Sequence, residues 1–254
     1  MKYSAKGNYV GEIAEHYIEK RKQDKKWRWE NQIVEDFITA NTKMGQTVLD
    51  VPVGTGRFLP IYRKAGLKVI GIDISGDMLK EARKLLDSHE EEIKLLQGDA
   101  EKLQLGDHSV DYAVCVRLAT LLPRSVLAAA ISEFARVTKY KILLQARVSD
   151  RRIFHVTTRF LKTAMKNPQI LGRLVVSLKS AISKYFRRIF LPLGNDQIGD
   201  CEADKPAKLS EAELMMAFRK NRLAVQEVLT MDDSDAGLKW VTAPYRVYIL
   251  GKES

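Results

Sequence analysis

Cysteine is scarce in this chain, which has two in 254 residues. Cys115 and Cys201 lie far apart, and neither has a histidine or a second cysteine at the spacing of a metal-binding motif. A disulfide-stapled fold and a zinc site are therefore not indicated. Two unpaired thiols are typical of a reducing compartment, so we expect a cytoplasmic protein that holds no metal.

Long apolar runs are also missing. The first twelve residues, MKYSAKGNYVGE, lack the apolar core of a signal peptide. No window of about 18 uncharged apolar residues occurs anywhere, so the sequence predicts no membrane-spanning helix. Apolar residues nevertheless make up 45% of the chain, which is enough for a folded core.

Acidic residues are absent from residues 151–191, although that segment carries ten basic residues. Its formal charge therefore equals the net charge of +10 for the whole chain. From residue 170 onward apolar residues recur at helical spacing, with four basic residues on the opposite side: Arg173, Lys184, Arg187 and Arg188. We expect an amphipathic helix whose basic face contacts solvent, an anionic lipid surface or RNA.

Strand-like and helix-like segments alternate over residues 47–148. Five short apolar runs predict strands, at 47–51, 68–74, 93–97, 111–116 and 141–148. Helical patterns lie between them, at 58–65, 76–88 and 125–138. This alternation predicts an α/β fold of the Rossmann-like, doubly wound type, in which right-handed crossovers join mostly parallel strands.

The order of elements changes near the C-terminus. Ser210 is predicted to cap a helix, with Glu213 three residues later as its capping-box partner. Two strand-like runs then follow in succession, at 225–231 and 245–250. Consecutive strands without a crossover helix do not form a βαβ unit, so we expect an antiparallel pair at the edge of the sheet.

The segment VLDVPVGTGRFL, residues 48–59, places a glycine loop directly after the first predicted strand, which is a common ligand site in open parallel sheets. The G-x-G-x-x-G pattern of NAD-binding proteins is incomplete because Leu59 stands at the third glycine position. The Lys-Ser/Thr of a P-loop is absent as well. Asp73 and Asp99 follow the second and third strands, where carboxylates can accept hydrogen bonds from ribose hydroxyls and from the exocyclic amine of an adenine.

Together these segments resemble the class I S-adenosylmethionine-dependent methyltransferases. The resemblance covers residues 47–148 and rests on VLDVPVGTGRF, VIGIDISGDMLKEAR, GDAEKLQLGDHSVDYAVCV and ISEFARV. It implies a seven-stranded mixed sheet whose last strand is antiparallel. In the family's loop pattern, D-x-G-x-G-x-G, Pro52 replaces the first glycine here, while Gly54 and Gly56 are retained. Because proline fixes φ at about −65°, the loop keeps its shape if this position needs negative φ and no amide donor.

The resemblance implies S-adenosylmethionine as the cofactor and S-adenosylhomocysteine as its product. The implied contacts are with the amino-acid part (Asp50, Gly54 and Gly56), the ribose (Asp73), the adenine (Ile74, Met78, Asp99 and Ala100) and the sulfonium side (Val116 and Arg117). Pro52 belongs to the same set, as do Tyr17 and Arg21 of a short N-terminal helix that many small-acceptor members fold over the cofactor. The implied division is a helical cap at 1–46 and a methyltransferase domain at 47–254, with a basic helical insertion at about 151–207.

The implied reaction moves a methyl group to a small molecule, or to an acceptor linked to a lipid or glycan. Residues 115–123, CVRLATLLP, lack the Asn-Pro-Pro-Tyr motif of enzymes that modify amino groups of nucleic acids, and their apolar character fits an acceptor pocket. No motif identifies a catalytic base; His16 and His155 are candidates only if they reach the pocket. An RNA methyltransferase that uses the basic insertion and a cofactor-binding protein without turnover remain alternatives. Peripheral membrane contact through 170–190 and the oligomeric state also remain open.

Overall fold

Seven strands in one sheet and five helices make up the part of the chain that the computed structural model describes, which is residues 25–86, 92–148, 209–230 and 245–253. The strands are β1 (Thr47–Asp50), β2 (Lys68–Asp73), β3 (Ile93–Gln97), β4 (Val110–Cys115), β5 (Thr138–Arg147), β6 (Leu223–Thr230) and β7 (Tyr245–Lys252). The helices are α1 (Lys25–Asn41), α2 (Leu59–Lys64), α3 (Gly76–Arg83), α4 (Arg124–Val137) and α5 (Glu211–Lys220).

The strands lie in the order β3-β2-β1-β4-β5-β7-β6. β1 pairs in parallel with β2 on one side and with β4 on the other, whereas β7 lies between β5 and β6 and runs antiparallel to both. This order confirms the predicted Rossmann-like mixed sheet with an antiparallel last strand. Because the direction of strand addition reverses between β1 and β4, a crevice opens at their carboxyl ends, where ligands bind in such sheets.

Helices cover both faces of the sheet because its strands alternate apolar side chains between two cores. On β5, the buried Ile142 and Leu144 belong to the core that contains Phe134 of α4. Leu143, which stands between them, belongs to the opposite core, which contains Phe37 of α1. The strands whose carboxyl ends form the crevice are therefore held in place by helices packed on both faces of the sheet.

The start of α5 follows the predicted capping box. The amide of Glu213 donates to the hydroxyl of Ser210 at 3.3 Å, and the amide of Ser210 donates to the carboxylate of Glu213 at 2.7 Å. These two bonds satisfy amides at the helix start that have no partner within the helix. This prediction is confirmed.

Two predicted boundaries differ from the observed ones by three residues or more. The fifth strand begins at Thr138 instead of residue 141, because α4 ends at Val137 and Thr138 already has extended backbone, with φ −90° and ψ 136°. The helix predicted over 76–88 ends at Arg83. After that residue, the amides of Leu85 and Leu86 bond three residues back instead of four, so the chain closes in tight turns.

The predicted division into cap, domain and insertion stays a prediction. Within the proposed cap at 1–46, α1 is described, whereas residues 1–24 lie outside the described ranges. The basic insertion at about 151–207 and the amphipathic helix predicted from residue 170 also lie outside them. None of the helices in the described ranges combines the length and the apolar character that a membrane crossing requires.

Candidate functional site

An open cavity of about 800 Å³ lies at the carboxyl ends of β1, β2 and β4. The wall combines the loop after β1, the end of β2 with the start of α3, the segment after β4, and one side chain of α1. The lining residues are Trp27, Pro52, Val53, Gly54, Thr55, Arg57, Phe58, Asp73, Ile74, Met78, Val116, Arg117, Leu118 and Leu121.

Part of the predicted cofactor-binding set meets at this cavity. The predicted residues that line it are Pro52, Gly54, Asp73, Ile74, Met78, Val116 and Arg117. Those that are described but do not line it are Asp50, Gly56, Asp99 and Ala100. Tyr17 and Arg21 lie outside the described residues. Contact of any of these residues with a cofactor remains a prediction.

The glycine loop keeps its bonds to the sheet on both sides of its unusual proline. Pro52, which follows a cis peptide bond and has no amide hydrogen, stands between Val51 and Val53. The amide of Val51 donates to the carbonyl of Val114 at 3.0 Å, and that of Val53 donates to the carbonyl of Ile72 at 2.9 Å. The proline therefore interrupts no bond that its neighbours make to β4 or β2.

The two glycines of the loop serve different purposes. Gly54 has a φ of +56°, and a Cβ at this position would meet nothing within 4 Å. Gly56 has a φ of +79°, but its Cβ would lie 2.7 Å from Cδ1 of Leu59 and 3.3 Å from Cβ of Ala82. Both need the left-handed conformation that glycine adopts readily. Gly54 faces the open cavity, whereas Gly56 packs against α2 and α3.

Asp73 joins the loop after β1 to the start of α3. Its side chain is largely buried, and its two oxygens accept hydrogen bonds from the amides of Gly54, at 2.9 Å, and Ser75, at 2.8 Å. Burial raises the pKa of Asp73, and these amide bonds oppose the rise. A carboxylate has about four lone-pair positions, so Asp73 keeps the capacity to accept further bonds from a ligand in the cavity.

Two other predicted acids, Asp50 and Asp99, do not line the cavity in the described structure, and their contact with a cofactor stays a prediction. Asp50 is fully buried beneath the loop, and burial raises its pKa well above the usual range, while the nearby Tyr62 hydroxyl opposes this rise. Asp99 accepts a hydrogen bond from the amide of Glu101 at 3.2 Å, which stabilises the turn after β3. Ala100 belongs to the apolar core.

Arg117 has an unusual backbone for a residue with a side chain, since its φ is +68°. Its amide donates a 2.9 Å hydrogen bond to Oε1 of Gln145, a fully buried residue of β5. Left-handed backbone is costly outside glycine, and it persists where surrounding contacts enforce it. The segment after β4 is thus held in one conformation at the cavity.

Several lining residues are absent from the predicted set, namely Trp27, Val53, Thr55, Arg57, Phe58, Leu118 and Leu121. Arg57 and Phe58 directly follow the glycine motif, so they could have been predicted as site residues by extending the motif by two positions. Trp27 comes from α1, whose buried face also contains Glu30 and Val34. In the sequence, Glu30 lies at helical spacing among apolar residues, which indicates a buried charge. Buried glutamates are rare unless they are paired, so this pattern could have identified α1 as part of the site.

The sheet order, the glycine loop after β1 and the buried aspartate after β2 define the class I S-adenosylmethionine-dependent methyltransferase fold. Residues 48–141 match the family model of the methyltransferase domain. Together with the relatives and solved structures described below, this match bears out the predicted resemblance to the class I methyltransferases, which use S-adenosylmethionine. The matched segment contains the glycine loop, Asp73 and the residues after β4 that line the cavity.

Named methyltransferases match part of the chain. The malonyl-[acyl-carrier protein] O-methyltransferase of Yersinia pestis is 39% identical over 97 residues, which are 37% of this chain and 33% of that protein. The demethylmenaquinone methyltransferase of Paenarthrobacter aurescens is 34% identical over 119 residues, or 46% of this chain and 42% of that protein. The phosphatidylethanolamine N-methyltransferase of Cereibacter sphaeroides is 39% identical, covering 37% of this chain and 46% of that protein. The chain spans less than half the length of each of these relatives.

Solved structures share the fold over most of the chain. Magnesium protoporphyrin IX methyltransferase from Synechocystis, with bound S-adenosylhomocysteine, has a TM-score of 0.56 at 15% identity and covers 89% of this chain and 83% of its own. The [4+2]-cyclase SpnF also has a TM-score of 0.56, at 14% identity, and covers 87% and 80%. The same fold is thus shared by proteins with different named reactions, so the reaction has to be argued from the site.

Proposed function

We propose that this protein binds S-adenosylmethionine in the cavity at the carboxyl ends of β1, β2 and β4, and transfers its methyl group to a small-molecule acceptor. The observation that carries the proposal is the joint arrangement of Gly54 and Asp73, which lie together in the wall of that cavity. A buried carboxylate next to a glycine with open space suits a ligand that has hydroxyls and needs close backbone approach.

The residues of the cavity fit the parts of this cofactor. Asp73 would accept hydrogen bonds from the ribose hydroxyls, and the apolar Ile74 and Met78 beside it suit the faces of an adenine ring. The open space at Gly54 leaves room for the amino-acid part. Val116 and Arg117 are the residues that would lie near the sulfonium. When bound, the cofactor supplies a methyl group that its sulfonium already activates.

The chain's own task is to align the acceptor and to keep water out. Trp27, Phe58, Leu118 and Leu121 give the described lining an apolar part that serves the second purpose. Among the described lining residues, Asp73 is the one carboxylate, and histidine and lysine do not occur. This composition favours an acceptor whose attacking atom already has a free lone pair at neutral pH, such as a carboxylate oxygen, because such an atom needs no base.

The finer proposal is that the acceptor carries a negative charge or a lipid or glycan anchor. At the end of β5, where the chain continues into the basic segment 151–191, two cations stand by one aromatic ring. Nζ of Lys26 lies 3.1 Å from the ring centroid of Tyr245, and the guanidinium of Arg147 lies 5.7 Å from it. Of these two basic residues, Arg147 stands four positions before the basic segment in the sequence.

Calorimetry with S-adenosylmethionine, S-adenosylhomocysteine and NAD tests the cofactor. We expect the first two to bind and NAD to give no heat of binding. Binding of NAD alone would contradict the site assignment.

The acceptor is tested by incubating the protein with cell extract and S-adenosylmethionine labelled in the methyl group. Label in a small-molecule, lipid or glycan fraction supports the proposal, and the labelled fraction identifies the acceptor class. Label in RNA would replace the proposed acceptor by nucleic acid. Binding of the cofactor without transfer to any fraction would indicate a protein that binds it without turnover.

A further inference from the structure

Glu30 of α1 is a buried carboxylate that bonds to two separate parts of the cavity wall and to strand β5. It is 1% exposed. Its Oε2 accepts hydrogen bonds from Nη1 of Arg57 and from Nε of Arg117, each at 2.8 Å. Its Oε1 accepts a bond of 2.8 Å from Nε2 of Gln145. The loop after β1, the segment after β4 and strand β5 thus meet at one side chain.

These bonds fix α1 as part of the cavity wall. Arg57 also donates from Nε to Oδ1 of Asn31 at 2.8 Å and from Nη2 to the carbonyl of Trp27. Its guanidinium lies 3.5 Å from the ring centroid of Trp27, a lining residue. The position of the indole therefore depends on the same ion pairs that hold Glu30.

The charges around Glu30 matter because the cofactor of the proposed function is itself a cation at its sulfur. Arg57 and Arg117 both line the cavity, and Nζ of Lys26 lies 3.8 Å from Oε1 of Glu30. Like charges repel strongly where little water screens them, so guanidinium groups in the wall oppose the binding of a sulfonium. A carboxylate bonded to both guanidiniums offsets that repulsion.

We infer that Glu30 is a positioning residue that holds α1 over the cavity and offsets the charge of Arg57 and Arg117, so that the cavity accepts a sulfonium. The inference rests on the proposed function, because it takes S-adenosylmethionine as the ligand. A residue that only packed α1 against the sheet would affect the binding of both ligands equally. Loss of the carboxylate must harm the binding of the cationic cofactor more than that of its neutral product, S-adenosylhomocysteine.

The test compares the two ligands by calorimetry in the Glu30→Gln variant. Glutamine keeps the shape of the side chain and removes its charge. We expect affinity for S-adenosylmethionine to fall about tenfold more than affinity for S-adenosylhomocysteine, which is the effect of one unit charge roughly 10 Å away at an effective dielectric constant of about 20. Glu35→Gln is the matched control, since Glu35 is a partly exposed residue of the same helix that pairs with Lys64 on the surface. That control should leave both affinities unchanged.

A second variant, Arg117→Gln, keeps the inference testable if Glu30→Gln does not fold. Removing one guanidinium lowers the repulsion of the sulfonium, so the ratio of the two affinities should shift in favour of S-adenosylmethionine. Contacts that both ligands lose equally do not change this ratio. An equal loss for both ligands in Glu30→Gln, or an unchanged ratio in Arg117→Gln, would overturn the inference and leave the proposed function intact. Failure of the unmodified protein to bind either ligand would instead overturn the proposed function.

Discussion

Oδ2 of Asp73 accepts a hydrogen bond of 2.9 Å from the amide of Gly54, so the acid that ends β2 directly holds the glycine loop that follows β1. In the sequence these residues belong to two separate motifs, 19 positions apart. In the fold they form one unit, which Ser75 extends to the start of α3. A change at Asp73 must therefore affect both the ligand and the shape of its loop.

Replacement of Asp73 by alanine should weaken S-adenosylmethionine and S-adenosylhomocysteine alike, by about 10- to 100-fold, because the ribose loses its acceptor and the amides of Gly54 and Ser75 lose theirs. Calorimetry measures the affinities, and the melting temperature of the free protein separates ligand loss from unfolding. Asp107→Ala is the control, since Asp107 precedes β4 at the opposite edge of the sheet. Normal binding by the Asp73→Ala variant would contradict the site.

Alanine substitutions at the two glycines should separate folding from binding. Gly56→Ala should destabilise the fold by about 1–3 kcal/mol, because its Cβ would press on Leu59 and Ala82. Gly54→Ala carries mainly the cost of left-handed backbone, about 1–2 kcal/mol. Its methyl group would enter the open space in front of the loop, so it should lower cofactor affinity by about tenfold. Urea unfolding and calorimetry on both variants check this contrast, and equal effects of the two variants on binding would contradict it.

The buried Asp50 should make stability depend on pH. Burial raises its pKa in the folded state, so the folded protein keeps a proton that the unfolded chain has already lost. Stability contributed by Asp50 is then present below the usual carboxyl pKa and falls as the pH rises through the raised value. The Asp50→Asn variant lacks this dependence. Between the usual carboxyl pKa and the raised pKa of Asp50, its stability relative to the unmodified protein should therefore increase by about 1.4 kcal/mol for each unit of pH. Urea unfolding between pH 5 and pH 8 (roughly the range of maximal stability) measures the difference, and a constant difference would argue against burial of the charge.

The strand ends of this protein are readable from its sequence because they depend on local patterns. The predicted third strand, 93–97, has the bounds of β3 in the structure. Since parallel strands place their carboxyl ends at one edge, residues such as Gly54, Asp73 and Val116 could be assigned to a single site without knowledge of the packing. The capping box at Ser210 is local in the same way.

The contacts of Glu30 could not be predicted in this manner. Its partners Arg57, Arg117 and Gln145 are 27, 87 and 115 positions away in the chain. No spacing rule connects such distant residues, because their meeting depends on how α1 packs against the finished sheet. Gly56 shows the converse limit. Its place in the motif predicts a backbone contact with the ligand, which stays a prediction, but the motif could not show that a Cβ at this position would meet Leu59 and Ala82.

The charge of the segment 151–191 should act on the acceptor and not on the cofactor. Ten basic residues without one acid form a field that attracts anions and that salt screens over about 8–10 Å. Changing four of them to glutamate, at Arg173, Lys184, Arg187 and Arg188, should reduce turnover of the acceptor found in the labelling experiment. The affinity for S-adenosylmethionine, measured by calorimetry, should change little.

A matched control changes four exposed lysines elsewhere to glutamate, at Lys80, Lys94, Lys102 and Lys220. It alters the net charge of the protein by the same amount, but at positions that belong to the body of the domain. If attraction of an anionic acceptor is the cause, turnover should fall with rising salt in the unmodified protein and in the control, and this dependence should weaken in the variant of the basic segment. Turnover and salt dependence that match the unmodified protein in both variants would show that the basic face only contacts solvent. A neutral small molecule would then be the better acceptor, because nothing in its recognition requires the charge.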